Sequence, residues 1–317
     1  MTAAPWTLET VEELARRYRR WGAWGDDDEL GALNFIDAAA IVRAAALARH
    51  GRTVSCALAL GADGPQTGAY GRTNPVHYML QDGGDIALGA QEHVARLRYA
   101  DDAIAMPLQC ATHWDAFSHI FYEGRMFNGY GVAEVTSSGA RRGGVEQMRE
   151  SLIGRGVLLD IPRHRGVDWL DPGDGIDDSE LAACAERQGV SVGRGDILLV
   201  RTGHLALSQA RGWGTYAGGD APGLSLASAH FVCDREVAAV ATDTWGVEVR
   251  PNEIDAIFQP LHLVLLVNAG VILGEMLDLE RLAEDCAGDG VYEFLFVAPP
   301  LPFTGAVGGP MNPVAIK

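Results

Sequence analysis

Two histidines, an aspartate and a glutamine fall within eleven residues in the stretch Gln109-Cys-Ala-Thr-His113-Trp-Asp115-Ala-Phe117-Ser-His119. In an extended segment, residues two apart point the same way. His113 and Asp115 can then offer an imidazole nitrogen and a carboxylate oxygen to one divalent ion. Gln109, Phe117 and His119 share that parity. A straight strand from 109 to 119 would run about 33 Å, too long to focus on one point. For His119 to join, the chain must bend after Asp115, and a switch to helix would do it because the two are four apart. The alternative is a core histidine bonded to its neighbour. The H-x-D pair alone fits both.

Ligands seldom all come from one segment. The run "QPLHLVLLVNAGVILGEMLDLERL" supplies His262 among apolar residues and Glu275 just before a helix expected over Leu279–Cys286. Burying an unpaired charge is costly, so ionisable residues in such surroundings need partners. Trp114, Phe117, Phe121, Tyr122 and Phe127 lie close to the H-x-D pair and could line an aromatic pocket or simply fill core. His204 in "RTGH" sits just past an expected strand end, a place for a substrate contact or a surface histidine. Asp243 ends another strand, where it could support the site. Cys110 has the opposite parity to His113, which argues against a nucleophile. Ser225 in "GLSLA" matches a nucleophile elbow only loosely.

Composition narrows the chemistry further. Lys317 is the only lysine in 317 residues, which excludes Schiff-base, pyridoxal-phosphate and P-loop lysines. Acid–base work falls to His, Asp, Glu, Tyr or a metal-bound water. A net charge of −17 argues against nucleic acid and anionic membranes as partners. The five cysteines (56, 110, 184, 233, 286) are odd in number and never paired as C-x-x-C, so neither a disulfide framework nor a cysteine zinc module is expected. No signal-like apolar region opens the sequence, and no run reaches the roughly 20 residues of a membrane span. The expectation is a soluble cytoplasmic protein.

The elements that must position these residues follow from periodicity. Residues 8–22 read as a helix, with glutamates early and arginines late. A second helix is expected from Asp37, as N-cap, to about His50, stopped by Gly51. "TVSCALAL" (53–60) reads as a strand, and 61–100 as loops and short strands. "GVLLDI", "GDILLVRTG", "VAAVATDT" and "VYEFLFVA" (291–298, the last expected strand) alternate with a helix over "DDSELAACAERQG", capped by Asp178 or Ser179. Strands separated by helices predict an α/β fold with a mixed sheet, and no linker or repeat divides the chain. One domain, 1–317, with a helical N-terminal extension over about 1–51, is the simplest partition. The Gly- and Pro-rich segment 304–313 reads as a lid or interface loop.

The 109–119 stretch resembles the signature H-x-G-T-H-x-D-x-P-x-H of metal-dependent hydrolases called the cyclase family, which includes bacterial kynurenine formamidase, isatin hydrolase and a zinc-dependent dienelactone hydrolase. "DELGALNF", "PLHLVLLVNAGVILGEMLDLERLAEDCA" and "PPLPFTGAVGGPMNPVAI" extend the resemblance over most of the chain, in the manner of the family's longer branch. It implies metal ligation by His113 and Asp115, with His262 and Glu275 at the distal ligand positions and His119 as the proton-transfer residue. Gln109 stands where the signature has its first ligand histidine, Ala111 replaces its glycine and Phe117 its proline. The oxygen-donating Gln109 favours one metal over two, and Mn²⁺ beside Zn²⁺. The implied fold is a swivelling β/α type with a mixed sheet or flattened barrel flanked by helices, in homodimers or higher homo-oligomers, the N-terminal helices being one place for that contact.

A divalent ion lowers the pKa of bound water and polarises a carbonyl, and His119 could take and return the proton. The expected reaction is hydrolysis of a small cyclic or aryl amide, imide, formamide or lactone. A metal-dependent lyase or isomerase that stabilises an enolate is one alternative, and a metal-free binding protein is another.

Overall fold

Nine strands form one mixed sheet, described in a computed structural model that covers residues 6–317; the first five residues of the expected N-terminal extension lie outside the described residues. From edge to edge the strands are Thr53–Ser55, Val314–Ile316, Glu293–Val297, Ile153–Asp160, Ile197–Arg201, Ala239–Thr242, Ile272–Glu275, His113–Asp115 and Gly308–Pro310. Within this sheet, parallel pairing is confined to the run from Ile153–Asp160 to Ile272–Glu275. Ile197–Arg201, Ala239–Thr242 and Ile272–Glu275 are buried at every position, as apolar runs covered on both faces must be. Helices Ala38–Ala45 and Asp178–Gln188 pack on the Ile153–Asp160 strand. The α/β fold with a mixed sheet flanked by helices is therefore as expected. Among the described residues no helix is long and apolar enough to cross a membrane.

Several boundaries differ from those expected, each for a tertiary reason. The first helix spans Leu8–Arg17 and buries Val11, Leu14 and Ala15. The chain leaves it early because Arg20 N–H bonds Asn268 O and the Trp21 indole bonds Val267 O. Asp37 caps the second helix as expected, but that helix ends at Ala45, and His50 and Arg52 N–H both bond Lys317 O at the sheet edge. The sole lysine is structural: Lys317 Nζ is buried and donates to Asp289 at 2.7 Å and to Val291 O at 2.8 Å. Asp177, not Asp178 or Ser179, caps the helix Asp178–Gln188. "VYEFLFVA" is not the last strand. The Gly–Pro segment contributes Gly308–Pro310, which pairs with His113–Asp115 and so forms part of the sheet.

The pairing of His113–Asp115 with Ile272–Glu275 sets the register that matters most. Glu275 lies opposite His113, and Gly274 lies opposite Trp114. Trp114 is fully buried, its indole N–H bonded to Ala298 O, and its ring covers Gly274 so closely that a Cβ there would come within 2.4 Å of it. That same Cβ would meet Ala241 Cβ at 2.8 Å, so neither neighbour can yield cheaply. Gly274→Ala should therefore destabilise the protein by about 1–3 kcal/mol through overpacking, read as a lower urea midpoint. An unchanged midpoint would mean that the Trp114–Gly274 contact does not hold this register.

Candidate metal centre

The strand register, a helix start and a tight turn bring five ionisable side chains to the carboxyl end of the parallel strands. Four of them alternate as a closed ring. His113 Nε2 lies 3.3 Å from Asp115 Oδ1 and 3.5 Å from Glu275 Oε2. His262 Nε2 lies 3.8 Å from Asp115 Oδ2 and 3.6 Å from Glu275 Oε1. Each carboxylate thus turns one oxygen to each imidazole. Donors about 2.1 Å from a tetrahedral ion stand about 3.4 Å apart, and Asp115, His262 and Glu275 offer ligand atoms that all lie within 4.8 Å of one another, close enough to share a divalent cation. His113 Nε2 and Asp115 Oδ1 are buried with no hydrogen-bond partner, an expensive arrangement that an ion would relieve.

Both imidazoles are held from behind. His113 Nδ1 donates to Ala111 O at 2.8 Å, which leaves the Nε2 lone pair directed at the ring. His262 Nδ1 bonds the Glu248 carboxylate at 2.6 Å. Glu248 also accepts the N–H groups of Leu261 (3.0 Å) and His262 (3.1 Å), the open donors where the helix Pro260–His262 begins. That helix runs on as a π-helix, Leu263–Ala269, a distortion often kept at functional sites. Such carboxylate–histidine pairs fix tautomer and ring orientation in metal sites. Burial alone would lower the His262 pKa, but Glu248 and Glu275 outweigh it and push the group up to about 10. Burial opposes ionisation of Asp115 too, yet the surrounding histidines hold it well below the usual carboxylate range.

His119 reaches the ring as the H-x-D bend requires. His113–Asp115 is a strand, Phe117–His119 is a 3-10 turn, and His119 Nε2 comes to 3.8 Å from Asp115 Oδ1. It is displaced outward and partly exposed. Burial lowers its pKa, Asp115 opposes the drop and the Arg72 guanidinium adds to it, so the ring is a free base at neutral pH. Arg72 Nη2 stands 3.4 Å from His119 Nε2. Gln109 is buried beside Gly308 with its Nε2 unpartnered, and it makes no hydrogen bond to the ring.

The expected aromatic pocket is corrected by the strand geometry. Trp114 points away from His113 and Asp115 into the core, and Phe117 packs there on Phe127 with ring centroids 4.3 Å apart. Phe121 is half-buried beyond the turn, and the Tyr122 hydroxyl bonds Glu12 of the first helix. The aromatic wall near the centre comes instead from Trp245, Tyr216 and Tyr70. Trp245 and Tyr216 share a cluster with Met276, the neighbour of Glu275, and Tyr70 stacks on Trp245 at 5.4 Å. His204 joins this wall, stacked on Tyr216 at 5.3 Å, with both ring nitrogens unpartnered and its pKa lowered by burial to about 4. Asp243 positions it from behind by accepting Thr202 N–H, Thr202 Oγ1–H and Gly203 N–H, all at 2.7 Å. Cys110 is buried, and burial raises its thiol pKa, which makes it a poor nucleophile. Sequence reasoning missed Glu248 and Arg72. Glu248 carried a usable signal, an acid between valines in "WGVEVR"; Arg72 carried none.

Comparison with known proteins places this geometry. No curated protein is significantly similar to the chain. An isatin hydrolase A from Ralstonia solanacearum has a similar fold, with 17% identity, a TM-score of 0.63, and 86% of this chain and 95% of that one covered. An isatin hydrolase bound to the product analogue thioisatinate aligns at 16% identity and a TM-score of 0.60, covering 84% and 92%. The crystal structure of a novel cyclase is 36% identical over 96% of this chain and 99% of that one, with a TM-score of 0.86. A family model described as "Putative cyclase" matches residues 36–249, and with that span and that identity the chain belongs to the cyclase family.

Proposed function

We propose that this protein is a metal-dependent hydrolase that opens a small cyclic or aryl amide, imide, formamide or lactone. The observation that carries the reading is the ring of His113, Asp115, His262 and Glu275, with both imidazoles fixed from behind and their Nε2 atoms turned inward. Asp115, His262 and Glu275 would hold one Zn²⁺ or Mn²⁺ ion, with His113 beside them and Gln109 outside the group. Such an ion lowers the pKa of water and polarises a carbonyl. His119, uncharged at neutral pH and beside the ring, takes a proton from the attacking water and returns it to the leaving nitrogen or oxygen. Trp245, Tyr216 and His204 shape the space for a planar substrate. The names of the structural relatives, isatin hydrolases among them, support this class of reaction. A homo-oligomer belongs to the same reading. The apolar face of the first helix is spent inside its own chain, so this reading puts the contact on the exposed Val76, Tyr78 and Leu80 of the hairpin Val76–Gln81/Asp101–Ala105.

The reading is tested with Zn²⁺- or Mn²⁺-loaded protein, a panel of aryl formamides, cyclic imides and lactones, and H₂¹⁸O. Labelled product is expected, and His119→Ala should cut kcat by about 10²–10⁴-fold with metal content unchanged. Turnover without label would favour the lyase reading, and a folded protein that takes up no metal would end this one. Because a proton on His262 competes with the ion, metal affinity should rise by about tenfold per pH unit from pH 6 to 8, with one proton released per ion. Glu248→Gln should weaken metal binding by about 10–100-fold, measured by competition with a chelating dye. An affinity indifferent to both pH and Glu248 would show that His262 is not a ligand.

A further inference from the structure

Beside the metal ring lie several hydrogen-bond donors without partners. Arg72 and Arg250 both approach the Trp245 ring, with Cζ 4.9 Å and 5.8 Å from its centroid. Among the described residues neither guanidinium forms an ion pair. Arg72 meets only His119 Nε2, and Arg250 Nη1 is buried without any hydrogen-bond partner. The Trp245 indole N–H is likewise buried and unpartnered. Other partly buried arginines have carboxylates, as Arg155 has Asp196 and Glu293 and Arg201 has Asp160 and Glu280, or donate to backbone carbonyls, as Arg20 does to Cys233 O and Arg235 to Phe231 O. Arg72 and Arg250 have neither among the described residues. Around them lie flat aromatic surfaces that remain open to solvent. Tyr70, 63% exposed, stacks on Trp245, and Phe258, 54% exposed, lies 5.6 Å from Tyr70 with Arg250 over its ring at 5.2 Å.

Unsatisfied buried donors call for an acceptor, and planar guanidinium forks match the oxygens of a carboxylate or sulfonate. Exposed aromatic faces beside them suit a flat ring. We propose that the enzyme is selective for anionic aryl substrates, with the ring laid against the exposed faces of Tyr70 and Phe258 and the anionic group, distinct from the bond to be broken, held by Arg72 and Arg250. This substrate class rests on the hydrolase reading. Its geometric support is separate, since neither arginine belongs to the metal ring. Arg72, beside His119, marks the inner end of the anion subsite, and Arg250, beside exposed Phe258, marks its mouth.

Binding tests this without turnover. Metal-loaded protein is titrated calorimetrically with benzenesulfonate, a planar anion that ligates metals poorly, and with neutral phenyl methyl sulfone. Benzenesulfonate should bind at least about tenfold more tightly, one or two charge-assisted contacts being worth that much. Arg72→Gln and Arg250→Gln should each erode the preference by about three- to tenfold, and together remove it. Arg250→Lys, which keeps the charge, should retain most of it and guards against a misfolded glutamine variant. Equal binding of the two probes, no binding of either at millimolar concentration, or a preference that survives the double variant would overturn the proposal. Metal content is measured on every sample. A protein that takes up no metal would sink the hydrolase reading, while the same pair of titrations on the metal-free protein would still decide the anion subsite.

Discussion

The antiparallel pairing of His113–Asp115 with Ile272–Glu275 is the constraint on which the rest of the site depends. It joins residues more than 150 positions apart in sequence and sets Glu275 directly opposite His113. A slip of one residue would turn every side chain of the strand to the other face and carry His113 and Asp115 into the core. The register is held on the core side by Trp114 over Gly274 and on the outer edge by Gly308–Pro310. The glycine that looks like a weak point in "GVILGE" is thus what lets the indole lie flat across the strand pair. Packing on one face of the sheet positions chemistry on the other.

The remaining two groups of the centre reach it by helical rather than sheet geometry. His262 stands where a helix begins, so Glu248 can satisfy that helix's open N–H groups and the imidazole with a single carboxylate. One buried acid therefore does the work of a cap and of an orienting partner. His119 comes from a 3-10 turn that follows Asp115 directly, which shortens the path an extended chain would have taken past the site.

How much of this was legible in the sequence depended on whether local periodicity carried the information. The H-x-D pair, the bend that returns His119 and the buried pair His262 and Glu275 are all local patterns, and the structure brings the five together. The parallel strands were legible for the same reason, as apolar runs bounded by turn residues. The aromatic pocket was misplaced by proximity in sequence. Trp114 has the opposite parity to His113 and Asp115, so the same alternation rule already directed it away from them. Phe117 shares their parity, but the bend that delivers His119 cancels it. The residues that took the aromatic role, Tyr70, Trp245 and Tyr216, come from loops whose positions only tertiary packing decides. Arg72 and the strand Gly308–Pro310 were hidden likewise within stretches read as loops. Glu248 was within reach, because the argument that a buried charge needs a partner applies to "WGVEVR" as well as to His262.

The electrostatics explain why such a concentration of acids can be buried at all. Asp115, Glu248 and Glu275 lie in the interior, where an ion costs several kcal/mol to desolvate unless it is paired. Three histidines surround them, and the two inside the ring have raised affinities for protons while His119 on its rim has a lowered one. Without a cation the ring holds a proton at His262. With one bound, that proton would leave and the ion would supply positive charge in its place. His119 stands outside this exchange because Arg72 and burial keep it neutral, and a neutral imidazole beside a closed charge ring is free to accept a proton from elsewhere. The division between holding charge and moving protons thus follows from one step outward in position, from the strand His113–Asp115 to the turn Phe117–His119.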